Sequence, residues 1–168
     1  MKGKNFLRVQ ERFGGSRNDA YLNQAEPKDR SYCRKCEAIY HNKHWYFDAD
    51  EVLRLRSNGS HPVLCPACHK IEDHFATGLV TLRGGFLKNH RDEILNLIRN
   101  EEKKAMGLNP LERIIDIDPK GETWKVTTTH EKLAQRIGKK LHRAFNGTVA
   151  YQWSRGEKMA RVEWSREV

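Results

Sequence analysis

Apolar and polar residues alternate near the end of the chain. Val149, Tyr151 and Trp153 share one face of a strand, Ala160, Val162 and Trp164 one face of the next, and Arg155-Gly156-Glu157 makes the turn between them. "LERIIDID" and "TWKVTTT" also read as strands, joined by the turn Pro119-Lys120-Gly121. Between these two strand pairs the period lengthens. "THEKLAQRIGKKLHRAFNG" reads as a helix opened by a Thr128-x-x-Glu131 capping box and closed near Gly147. Residues 109–168 therefore predict a β-β-α-β-β unit: a mostly antiparallel four-stranded sheet with one helix across it.

Upstream, Leu87, Ile94, Leu95 and Ile98 recur at helical spacing in "FLKNHRDEILNLIRNEEKKAMG". The pattern predicts a connecting amphipathic helix over 84–108 that stops at Gly107. Asn109-Pro110 marks the boundary with the unit that follows. Residues 32–83 mix short elements. "AIYHNKHWYF" reads as strand, turn and strand with Asn42-Lys43 at the tip, a turn follows at Asn58-Gly59, "PACHKIEDHFATG" looks helical as far as Gly78, and "LVTLR" is a short strand. Residues 1–31 carry scattered cations, Gly14-Gly15-Ser16 and few apolar positions, the pattern of a flexible basic arm. Such a segment is either a solvated tail or an arm that orders on RNA.

Cysteine spacing adds the chemistry. Cys33-x2-Cys36 and Cys65-x2-Cys68 are separated by 28 residues. Two residues between cysteines let both sulfurs of one tight turn reach one ion, and two such knuckles make the closed tetrahedral set of a structural zinc site. With one knuckle before a hairpin and the other opening a helix, the 32–83 unit reads as a treble clef or zinc ribbon, so the fold class is α+β. Iron in the same four-sulfur site, or a thiol redox relay, are the rivals, though two pairs argue for a ligand set. His41, His44 and His69 lie nearby, but four thiolates leave none of them needed, and His74 is expected to pack on its helix. With every position filled by sulfur, the ion, one structural zinc, has no place for an activated water.

No segment approaches the roughly eighteen apolar residues of a membrane span, and "MKGKNFLRVQERF" has no apolar core of signal-peptide type, so no membrane is expected and a cytoplasmic location is. Reduced thiols in that compartment favour metal over disulfides. The chain has neither G-x-x-x-x-G-K-[ST] nor G-x-G-x-x-G, nor G-x-S-x-G, nor H-E-x-x-H. Gly84-Gly85 is a tight turn, and Asp116 and Asp118 two apart on a strand read as a solvated edge. The expectation is a protein that is not an enzyme and has no small-molecule substrate.

Charge points to the partner. The net charge is +9, with the excess at the two ends of the chain, and four thiolates about one divalent ion would lower it only to +7. On a helical wheel (~100° per residue), Leu133, Ala134, Ile137, Gly138, Leu141, Ala144 and Phe145 line one side of the C-terminal helix. Lys132, Arg136, Lys139, Lys140 and Arg143 line the other with no acid among them. Most charged faces are merely solvated, but five like charges repel, and a phosphate backbone would offset that repulsion. Arg34 and Lys35 on the first knuckle are the second candidate surface. Tyr151, Trp153 and Trp164 are expected in the core rather than stacked on bases.

The stretches "CRKC…CPACHKIEDHFATGLVTLRGGFLKNHRDEILNLIRNEE" and "LERI…VTTTHEKLAQRIGKKLHRAFNG" resemble a small bacterial family of zinc-ribbon proteins. That family is grouped by similarity with the adaptor that exports the large ribosomal subunit in eukaryotes and is described as predicted RNA-binding. The resemblance spans roughly 32–168. It implies an RNA- or ribosome-associated cytoplasmic protein with zinc ligands at Cys33, Cys36, Cys65 and Cys68, and it implies no activity.

Overall fold

In the computed structural model, which describes Tyr21 and residues 26–154 and 159–168, the alternating segments pair into two sheets. The smaller holds β1 (Ser31–Cys33), β2 (Ile39–His41), β3 (His44–Tyr46) and β4 (Pro62–Val63) in the order β3-β2-β1-β4. Asn42 and Lys43 both take positive φ, 53° and 63°, at the tip of the β2–β3 hairpin, the conformation whose twist matches that of the flanking strands. Helix α1 (Ala49–Ser57) follows; its N-cap Asp48 accepts from the Glu51 amide at 3.0 Å, and Val52 and Leu55 bury against Ile39. Helix α2 (Pro66–Asp73) closes this part. It ends where His74 turns left-handed at φ 52°, four residues before the stop expected at Gly78.

Gly78 instead opens β5 (Gly78–Arg83). Glycine is required there, because a Cβ would lie 2.2 Å from Thr128 Oγ1 and 2.7 Å from Ala134 Cβ. After β5 come α3 (Phe86–Asn89), α4 (Arg91–Leu108), β6 (Ile114–Lys120), β7 (Thr123–Thr128), α5 (Glu131–Phe145), β8 (Thr148–Trp153) and β9 (Ala160–Ser165). The larger sheet runs β6-β7-β5-β9-β8, with β5 antiparallel to β7 and parallel to β9. The expectation of four antiparallel strands is thus corrected to a mixed sheet of five. Because β5 and β6 both run antiparallel to β7 between them, β5-α4-β6 is a split β-α-β crossover. β7 and β8 are likewise parallel, with β5 and β9 between them, and α5 bridges them.

Register assigns the faces. Val126, Val80, Val162 and Tyr151 form one cross-strand row, and Trp124, Leu82, Trp164 and Val149 form the next. Leu133, Ala134, Ile137 and Leu141 of α5, with Ile94, Ile98 and Ala105 of α4, pack with the inner members of these rows as one core that also takes in Phe86 and Leu87. Residues on both sides of Asn109-Pro110 therefore build the same core, and that dipeptide is a turn within it. Lys70 of α2 and Thr77 both donate to the Thr129 carbonyl (3.0 and 2.8 Å), and the Thr129 hydroxyl donates to Leu111 O at 2.6 Å. Buried hydrogen bonds thus tie α2 to the larger sheet.

Three local expectations change. The long helix is broken at His90, whose ring stacks on Phe86 with centroids 3.8 Å apart, and it ends at Leu108 rather than Gly107. Thr128 makes no capping box. It is the last residue of β7 and donates to His130 O, while His130 Nδ1 caps α5 by accepting from the Lys132 amide. Most of the expected arm lies outside the described residues, but Tyr21 is buried. Its hydroxyl donates to Asp73 at 2.7 Å, and its ring packs on Phe75. Among the described residues no helix is long and apolar enough to cross a membrane.

Candidate metal centre and basic helix

Two knuckles bring the four cysteines together. In the first, Cys33 ends β1, its amide bonds to Ala38 O at 2.7 Å, and Glu37 turns left-handed so that its amide reaches back to Cys33 O. In the second, Cys65 is the N-cap of α2, with Pro66 preset at the first helical position and the Cys68 amide donating to Cys65 Sγ at 3.4 Å. The strand pair β1–β4 places one knuckle beside the other, and the Cys65 amide donates to Cys33 Sγ at 3.3 Å.

All four sulfurs lie within 4.8 Å of one another, with Cys36 and Cys65 at 3.6 Å, and all four are free thiols. Zinc–sulfur bonds of about 2.3 Å in a tetrahedron place sulfurs about 3.8 Å apart, so the set matches one ion. Cys33, Cys65 and Cys68 are buried and Cys36 is half-buried, and they pack with Ala38, Ala67, Trp45, Leu64 and Leu111. Hydrogen bonds from Cys36, Cys65 and Cys68 hold the Cys33 thiol far below its ordinary range. The bond with Cys33 raises Cys36, but those with Cys65 and Cys68 outweigh it and bring Cys36 to about 7. Cys65 and Cys68 are pushed up, chiefly by sharing protons with Cys33 and Cys36. Four thiolates so close cannot all ionise unaided; a divalent cation would let them. The four cysteines can hold a metal ion such as zinc.

Among the described residues no histidine joins this cluster. His41 faces Asp29 at 3.1 Å, His44 Nδ1 lies 2.9 Å from Lys43 O, and His69 meets the edge of Tyr21. His74, expected to pack, is exposed. On the first knuckle Lys35 pairs with Glu72 of α2, whereas Arg34 is exposed with no acidic partner among the described residues.

Helix α5 presents its apolar stripe to the sheet and its cations outward. Lys132, Arg136, Lys139 and Arg143 form no ion pair among the described residues. Lys140 differs from the sequence expectation: it sits 3.9 Å from Glu101 of α4, a carboxylate only 7% exposed that Lys104 also approaches at 3.3 Å. The ridge is therefore four unpaired cations with a fifth that neutralises a buried acid. Lys140 and Arg143 also border a groove of about 520 Å³ between α4 and α5, floored by Leu97 and Phe145.

The aromatics divide. Trp164 is fully buried as expected, but Tyr151 is 40% and Trp153 56% exposed, because β8 is the edge strand and α5 does not cover it fully. Alternation had shown which face they share but not that this part of the face is open. Asp116 and Asp118 lie on the opposite face of the sheet, with Lys120 3.3 Å from Asp118. Compared with family models, curated proteins and solved structures, the chain matches none.

Proposed function

We propose that this is a non-enzymatic, zinc-stabilised RNA-binding protein of the cytoplasm that acts on the ribosome, in assembly, dormancy or rescue. One observation carries the reading: exposed Lys132, Lys139 and Arg143, with half-buried Arg136, line one strip of α5 with no acid to pair them among the described residues. Leaving such a strip unpaired costs repulsion that a polyanion would relieve, and phosphates do so while releasing condensed counterions. Zinc held by Cys33, Cys36, Cys65 and Cys68 would be structural, because sulfur fills all four positions. With one knuckle leading into the β2–β3 hairpin and the other capping α2, the metal unit is read as a treble clef or zinc ribbon.

The test is sedimentation. A lysate run through a sucrose gradient and blotted for the protein should place it with ribosomal particles at low salt and release it at high salt. Copurified nucleic acid should yield to ribonuclease and not to deoxyribonuclease. Loss to deoxyribonuclease instead would mark a DNA-binding, transcription-linked protein. A nucleic-acid-free complex insensitive to salt would mark a zinc-dependent protein adaptor. Either result overturns the reading.

A further inference from the structure

Tyr151 and Trp153 are two residues apart on β8, hence on one face and ~7 Å apart along the strand. That face is the one α5 covers. Tyr151 lies against the helix at Gly138, where a Cβ would stand 3.4 Å from Tyr151 Cε1 and 2.5 Å from Val162 Cγ1. Trp153 pairs in register with Ala160, in the cross-strand row of Gly78, the residue that meets the first turn of α5. Both rings are substantially exposed, and neither the indole N–H nor the phenol has a hydrogen-bond partner among the described residues. Among the described residues β8 pairs only with β9, so it is an edge strand.

One position beyond Gly138 on the helix is Lys139, and about two turns before that lies Lys132, both exposed. Two exposed aromatic side chains of β8 and the unpaired cations of α5 thus lie on elements that touch each other. Water solvates such rings poorly, and an acidic peptide would satisfy the cations but leave the rings bare. Bases are flat and apolar on their faces, and only an unpaired strand can turn them toward rings while its phosphates meet lysines.

We infer that β8 and the adjoining side of α5 form a platform for single-stranded RNA, with bases stacked on Tyr151 and Trp153 and phosphates on Lys132 and Lys139. The inference rests on the RNA-binding reading above and narrows it to unpaired segments.

The test uses the full chain and a labelled ten-nucleotide oligouridylate, with a ten-base-pair RNA duplex and oligothymidylate in parallel arms. Oligouridylate should bind more tightly than the duplex. Trp153→Ala and Tyr151→Ala should each weaken it by about 5- to 150-fold, the range that one lost stacking partner produces, without changing the salt slope. Lys132→Gln with Lys139→Gln should weaken it and flatten the slope. Trp124 and Trp164 are buried and Trp45 is half-buried against the cysteine cluster, so quenching of tryptophan emission by oligouridylate should fall sharply in Trp153→Phe while affinity is largely kept. Wild-type affinity in folded Trp153→Ala and Tyr151→Ala overturns the platform. If the duplex binds better and the aromatic variants are inert, the platform fails while RNA binding by the ridge stands. If no nucleic acid binds, both fail. Equal binding of oligothymidylate, lost in the same variants, would overturn the RNA assignment.

Discussion

Cutting the chain at Asn109-Pro110 should destroy the C-terminal sheet rather than isolate it. A fragment of residues 109–168 keeps β6 to β9 and α5 but loses β5, which lies between β7 and β9 and hydrogen-bonds to both. It also loses Val80, Leu82, Leu87, Ile94 and Ile98, all fully buried in the shared core. Burying one such side chain contributes about 1.5–3 kcal/mol, so their removal forfeits roughly 8–15 kcal/mol, comparable with the ~5–15 kcal/mol that holds a whole domain folded. The 109–168 fragment should therefore show no cooperative melt by circular dichroism and little amide dispersion by NMR. A fragment of residues 76–168 restores β5, α3 and α4 and should melt cooperatively even with chelator present, because none of its core residues is a metal ligand. A cooperative melt for 109–168 alone would refute the argument that β5 and α4 complete this core.

Cys65→Ser should release close to one equivalent of zinc and unfold the smaller sheet, since structural zinc contributes an apparent ~10–16 kcal/mol to small zinc units; metal analysis of the purified variant checks this, and full zinc retention would refute a four-cysteine site. Gly138→Ala should lose stability by about 1 kcal/mol in urea: the helical gain of ~1 kcal/mol is outweighed by ~1–3 kcal/mol of overpacking, because the new Cβ falls 2.5 Å from Val162 Cγ1. Stabilisation in that assay would mean the helix stands further from the sheet. Lys140→Glu should lower stability by about 1–3 kcal/mol by setting a carboxylate beside buried Glu101, whereas Arg136→Glu should leave the melting temperature within a degree or two. Equal melting temperatures would show that Glu101 does not depend on Lys140.

What the sequence made legible was local. Cysteine spacing places two sulfurs on each turn whatever the rest of the chain does, and Asn42-Lys43 specifies its own hairpin. The apolar stripe of α5 is read from fifteen consecutive residues. Pairing across the chain was not legible. "LVTLR" has the pattern of a strand, but nothing within it says that Val80 will face Val126 on one side and Val162 on the other. The burial of Glu101 depends on Lys140 approaching from another helix, and the exposure of Trp153 depends on β8 being last in the sheet. Each is a property of neighbours far away in the chain. The capping box failed for a related reason: pairing with Gly78 keeps Thr128 in β7, so the helix starts at Glu131 with His130 as its cap.

The central claim is that the unpaired cations of α5 hold RNA phosphates. The direct measurement is the affinity of the full-length protein for a labelled structured RNA at a series of salt concentrations, compared with the variant carrying Arg136→Gln and Lys139→Gln. Each phosphate contact contributes about −0.9 to the slope of log K against log salt on duplex-like RNA. The double variant should bind more weakly, with a slope flatter by about 1.8 and an unchanged melting temperature. The same slope and affinity in a folded double variant would contradict the account and leave the ridge a solvated face.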